Sequence, residues 1–292
     1  MLPLEDRTPD TQYRDALRFI LQNGELVKDT PQGVGALTTI DTPKLVFNLE
    51  NGVPIITERS MDRFWRKAID ELFAFIRGAR TSEELRAAGC NYWDEWLTKE
   101  KCSTVGLPEG DMGPAAYGSA FHNFPMPDGG SFNQFAHLIE QLRTYPMIRT
   151  HFITPWIPFW NGRGGNQKAV VSPCHGWIHC RVINGKLVLH MFQRSADMPI
   201  GVPSNMAQYA ALTLVIADIL GLTAWKYVHS FSDSHIYENQ IPNVRELIER
   251  EPRPFPTLRL IRPVTDIFSV TSADFELTDY TPHPGMKIPV AV

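Results

Sequence analysis

Only 4 of the 292 residues are cysteine: Cys90, Cys102, Cys174 and Cys180. Four thiols without a CxxC pair give neither a disulfide framework nor zinc-like spacing, so no metal is expected. Basic charge is not in excess either. The 28 Lys and Arg stand against 32 Asp and Glu, a formal net charge of -4, which argues against a nucleic-acid polymer as partner. Apolar runs fall short of the roughly 18 residues that cross a bilayer, and the opening MLPLEDRTPDTQYRDAL lacks a basic-then-apolar leader. A cytoplasmic protein is expected. Internal repeats and low-complexity linkers are missing too. What is present, 43% hydrophobic and 21% charged residues, is ordinary for a soluble chain with a sizeable core, in one large domain or two.

Apolar residues at helical spacing predict an amphipathic helix over Thr11–Asn23 that stops at Gly24, and another over Arg63–Arg77 carrying Glu71. Leu37–Asn48 reads as strand, and Gly106–Gly130 as a long Gly/Pro-containing loop. Trp177–Val182 and Lys186–Gln193 alternate around Asn184-Gly185, a strong hairpin signal. Ser204–Leu220 is apolar on nearly every face and closes at Gly221, so it reads as a core helix with Asn205 at its start. Beyond Pro252, prolines and β-branched residues predict short strands and turns.

Several segments carry chemistry. Cys174 stands beside His175 ahead of the hairpin, with Arg194 on the partner strand, and a neighbouring cation favours the nucleophilic thiolate. An inert buried cysteine is the alternative. Arg194 and Ser195 suit a phosphate, or Arg194 pairs with Asp197 at the surface. Asn205 can read a base edge, because an amide both donates and accepts, or it caps the helix. His235 and Tyr237 lie two apart on one strand face, where they grip a sugar hydroxyl or form a hydrogen-bonded core pair. Glu71 among Ile69, Leu72, Phe73 and Phe75 gains a raised pKa and suits proton shuttling if it is buried; otherwise it faces solvent.

In order, PCH at Pro173, GKL, FQRSAD, GVPSNMAQYA and DSHIY ending at Tyr237 resemble the thymidylate synthase family. The likeness runs from about Tyr13 to Val292 and extends to DEL at Asp70–Leu72, YWDEW at Tyr92–Trp96, GPAAYG at Gly113–Gly118 and the tail HPGMKIPVAV. It implies an α/β (α+β) fold, a large twisted mixed sheet flanked by helices, with two subunits stacking sheets back to back. One catalytic domain spans 1–292, with an insertion around 157–170. The resemblance makes Cys174 attack carbon 6 of a uracil nucleotide such as dUMP, and carbon 5 then captures the methylene of methylene-tetrahydrofolate. Arg194, Ser195 and the partner's Arg149 would hold phosphate, Asn205 the ring amide, and His235 with Tyr237 the 3′-hydroxyl. Glu71 and Tyr117 would handle protons, and Trp93, Trp96, Asp197 and Val292 would face the folate. Relatives that act on cytosine carry Asp at the position of Asn205.

Three departures bear on this. Thr30-Pro31-Gln32-Gly33-Val34-Gly35 replaces an arginine-bearing loop, Thr150 replaces the second of two arginines, and Phe231-Ser232 replaces Gly-Gly, which is expected to crowd a loop near the substrate. Lost phosphate partners cost about 1.5–3 kcal/mol each unless replaced, and Arg163 and Lys168 are the available replacements. Hydride from the folate would complete a methyl group; water would instead give a hydroxymethyl product, and a non-catalytic nucleotide- or RNA-binding relative is the reading from another class.

Overall fold

The computed structural model describes residues 1–291. Helix α1 (Gln12–Asn23) leads into β1 (Glu25–Val27), β2 (Ala36–Thr39) and β3 (Leu45–Asn48). Helices α2 (Trp65–Ile76), α3 (Ser82–Ala87), α4 (Lys99–Ser103) and α5 (Tyr117–His122) follow, then β4 (Phe124–Pro125), β5 (Ser131–Phe132), α6 (Gln134–Thr144) and β6 (Phe152–Ile153). The second half holds β7 (Trp177–Ile183), β8 (Lys186–Asp197), α7 (Gly201–Leu220), β9 (Thr223–Tyr237), α8 (Ile241–Leu247), β10 (Thr257–Leu260) and β11 (Phe275–Thr278).

The main sheet runs β1-β2-β9-β8-β7-β6, with β3 also on β9. It is mixed: β8 and β9 pair in parallel and its other pairs are antiparallel. The parallel pair requires a crossover, and α7 supplies it. Fourteen of the 20 α7 residues are buried, as expected for a helix apolar all round and enclosed by the core. Alternation along β7 and β8 buries Ile178, Cys180, Leu187, Leu189 and Met191 against that helix side. The other sheet face carries half-buried or exposed Trp177, His179, Arg181, Phe192 and Val46. Among the described residues no helix is long and apolar enough to cross a membrane.

The hairpin forms as expected, with Asn184 and Gly185 both at positive φ (50° and 74°). Elsewhere the structure departs from the sequence reading. Leu37–Asn48 is two strands because Pro43, which lacks an N–H, interrupts the ladder; β2 joins the end of β9 and β3 its beginning. The stretch Gly106–Gly130 is no plain loop, since it contains α5 and part of a small hairpin. Helix α7 begins at Gly201, not Ser204. Pro203 is tolerated because first-turn N–H groups need no partner, so Asn205 lies inside the helix. Gly24 does end α1, but in extended geometry (φ -69°). Phe231 and Ser232 belong to β9, and the Phe231 ring packs on His229 at 4.4 Å. The pair therefore lies in a strand, not in a loop.

Gly118 sets α5 in place. A Cβ there would penetrate the Ala79 carbonyl, so only glycine lets the helix bearing Tyr117 nest on that turn. Gly118→Ala is expected to destabilise the fold by about 1–3 kcal/mol through overpacking, read as a lowered urea midpoint. An unchanged midpoint would show that α5 can shift freely.

Candidate functional site

A cavity of about 800 Å³ opens at the ends of β8 and β9 and is lined by Cys174, Arg194, Ser195, His235 and Tyr237. Trp96 and Arg163 also line it, whereas Lys168 does not. Lys168 is exposed and its backbone N–H donates to the Trp160 carbonyl (2.9 Å), closing the base of its loop. Arg149 is exposed outside the cavity, and its carbonyl lies 3.1 Å from His179 Nε2 on the outer sheet face. Val292 lies outside the described residues.

Cys174 precedes β7 and is locked to the end of β8, since its carbonyl accepts from the N–H of Arg194 (2.7 Å). The Cys174 N–H donates to Tyr117 Oη (2.7 Å). Arg194 Nη2 lies 3.5 Å from Sγ, and its Nε and Nη2 also reach the carbonyls of Pro173 (3.2 Å) and Ser172 (3.3 Å). Burial pushes the thiol above its ordinary value and outweighs the guanidinium, which acts the other way. Consistent with a protonated thiol, Sγ lies 3.6 Å from the Ser172 carbonyl. His175 does not assist. It is buried with Nδ1 2.7 Å from Tyr209 Oη, and burial depresses its pKa to about 3. The cation beside the thiol is therefore Arg194 alone, and the imidazole braces the loop from behind.

Behind the cavity wall runs a chain of polar side chains. Trp93 Nε1 donates to Glu71 Oε1 (2.6 Å), and Gln208 Nε2 donates to Glu71 Oε2 (2.6 Å) and to the Ala68 carbonyl (2.9 Å). Gln208 Oε1 accepts in turn from Asn205 Nδ2 (2.9 Å). Glu71 is buried, not solvent-facing, and burial raises its pKa to about 7 although both hydrogen bonds pull it down. Asn205 is neither a cap nor isolated: with one N–H given to Gln208, it retains one N–H and Oδ1. Gln208 was missed in the sequence, where its signal is a polar residue three positions after Asn205 on an otherwise apolar helix, the spacing that puts both on one face.

Asp197 does not pair with Arg194, because residues three apart on a strand face opposite ways. Its carboxylate accepts from Gln240 Nε2 (3.3 and 3.4 Å) and from the Ile200 N–H (3.3 Å), and burial lifts its pKa to about 6. His235 Nδ1 lies 3.3 Å from the Asp233 carboxylate, which also accepts from the Thr38 hydroxyl. These two partners were not foreseen, and together with an edge-to-face contact with Tyr237 (5.0 Å) they orient the His235 ring. The tail lies beside this corner: Gln240 Nε2 donates to the Pro289 carbonyl (3.0 Å), and Ala291 packs with Ala36 and Tyr237.

A thiol held against a guanidinium, with an amide and a buried carboxylate wired together behind it, is the chemistry of covalent group transfer. A family model described as thymidylate synthase matches residues 11–292, so the chain belongs to the thymidylate synthase family. The family implies a folate-dependent enzyme that acts on pyrimidine nucleotides.

Proposed function

We propose that this chain moves the methylene of methylene-tetrahydrofolate to carbon 5 of a uracil nucleotide, dUMP, and reduces it to methyl. The observation that carries this reading is the continuous link from Asn205 through Gln208 to Glu71. With one N–H spent on Gln208, Asn205 offers an N–H and an acceptor oxygen, the pair that the O4 and N3–H of uracil require. Sγ of Cys174 adds to carbon 6, and the electron pair released at carbon 5 attacks the methylene carbon. Loss of the carbon-5 proton and β-elimination release the folate. Hydride from the same folate then gives methyl and dihydrofolate while Cys174 leaves. Arg194 and Ser195 hold phosphate, His235 and Tyr237 the 3′-hydroxyl, Tyr117 and Glu71 steer protons, and Trp93, Trp96, Asp197 and the Val292 terminus face the folate.

The chain acts as one catalytic domain with 157–170 inserted. Two copies stack the half-exposed sheet faces that carry Trp177, Phe192 and Arg181, which brings Arg149 toward the partner's phosphate. A hydroxymethyl product is the second reading, with one observation in its favour. Asp29–Gln32 lines the cavity without a cation, and the tail is tied at Lys287 and Pro289 by neutral side-chain amides, so closure against water is lightly held.

Product analysis separates these readings. Methylation releases thymidylate and dihydrofolate in equal amounts from dUMP and methylene-tetrahydrofolate; tetrahydrofolate with a hydroxymethyl nucleotide would replace that conclusion, and no turnover on any pyrimidine nucleotide would leave a binding protein. Asn205→Asp is expected to lower kcat/KM on dUMP by about 100-fold and to shift preference toward the cytosine nucleotide, because a carboxylate accepts from its amino group but cannot donate to O4. Unchanged base preference would remove Asn205 from recognition.

A further inference from the structure

We infer that Arg163 is the anion-gripping arm of this cavity and closes on the phosphate of the bound nucleotide, an inference that rests on the nucleotide reading above. Arg194 lines the cavity but is largely committed. Its Nε and Nη2 serve two carbonyls and the Cys174 sulfur, which leaves Nη1 for a ligand. Lys101 lies 4.8 Å over the Trp96 ring and donates to the Glu95 carbonyl (3.1 Å). The remaining charges in the lining are the carboxylates of Asp29 and Asp233, which repel an anion. Arg163 differs from all of these: among the described residues its guanidinium has no ion pair, hydrogen bond or ring partner.

Its loop is built to present it. Ile157 and Ala169 are fully buried with Ala115 and Ala120, Trp160 packs on them, and the Lys168 N–H donates to the Trp160 carbonyl, so both ends are fixed. Between those anchors Arg163 is flanked by Gly162 and Gly164 at φ 103° and 117°, and a Cβ at either would meet nothing within 4 Å. The glycines are there for backbone freedom, not for space. A guanidinium with every N–H unspent, on a pivot at the rim of a cavity whose other arginine is nearly spent, suits the bidentate grip of a phosphate.

Calorimetry on wild type, Arg163→Ala and Arg163→Lys with dUMP, deoxyuridine, inorganic phosphate and methylene-tetrahydrofolate tests this, with Tm as the control for folding. Arg163→Ala is expected to raise the Kd for dUMP and for phosphate by about tenfold or more while leaving deoxyuridine unchanged, and Arg163→Lys to recover part of the loss. An unaltered Kd for dUMP in Arg163→Ala, or equal weakening of dUMP and deoxyuridine, would overturn the assignment. Should phosphate binding depend on Arg163 while no pyrimidine nucleotide binds better than phosphate, the arm stands and the substrate reading falls. Weakening confined to methylene-tetrahydrofolate would place the grip on the folate carboxylates and reject the phosphate.

Discussion

Cys174→Ala is expected to cut turnover by at least about four orders of magnitude with its Tm within a few degrees of wild type. The size follows from the mechanism, since no other thiol can substitute: Cys90, Cys102 and Cys180 are buried in the core. Stability is nearly spared because Sγ makes only long contacts, to the Ser172 carbonyl (3.6 Å) and from Arg194 Nη2 (3.5 Å), whereas the backbone bonds that hold its loop, to Tyr117 Oη and from the Arg194 N–H, survive the change. Burial holds the thiol above its ordinary range and so toward the protonated form, and trapping should require nucleotide. Intact mass spectrometry with dUMP and methylene-tetrahydrofolate should show a covalent adduct in wild type and none in Cys174→Ala. A mutant with near-normal turnover would end the covalent mechanism.

Glu71→Gln is expected to lower kcat by about 100- to 10,000-fold, the range for removing a general acid–base group, and to erase the limb near pH 7 from the rate profile. In the proposed mechanism protonated Glu71 is the form that donates, so wild-type kcat is expected to fall as pH rises through about 7. The same carboxyl gives a stability signature of known sign. In the unfolded chain it ionises near its ordinary 4.5, but in the folded protein not until about 7. The folded state therefore holds its proton more tightly, and stability is lost as pH climbs from about 4.5 to 7, by roughly 3 kcal/mol for this group. Glu58, raised to about 7, and Asp197, raised to about 6, add in the same direction. Urea titrations of Glu71→Gln should show a flatter dependence over this window. An unchanged slope would mean that Glu71 is charged in the fold.

Much of this was legible in the sequence for reasons of periodicity. The core helix, the Asn184-Gly185 hairpin and the sharing of one strand face by His235 and Tyr237 all follow from spacing alone. Motif order added the mixed-sheet architecture and pointed to Cys174 as the nucleophile proposed above. What spacing could not supply is direction across the fold. His175 sits next to Cys174 in the chain yet turns to Tyr209, and Asp197, three residues from Arg194, faces away from it toward Gln240. Long-range partners such as Gln208 with Glu71, or Thr38 with Asp233, are 137 and 195 residues apart; no local pattern announces them. The cation between two glycines was visible, but that it borders the cavity while Lys168 does not depends on how Trp160 anchors its loop.

Gln208 has a consequence for how base choice can change. Its amide cannot turn over: both N–H groups are occupied by the Ala68 carbonyl and Glu71, so Oε1 always faces residue 205. A carboxylate introduced at 205 meets that oxygen as a second acceptor and gains nothing from it. Rotating the amide to greet it would strip Glu71 of a donor. On the proposed base reading, a lineage drifting from uracil to cytosine would therefore alter positions 205 and 208 together, or tolerate a sluggish intermediate whose ring recognition and proton transfer are out of step.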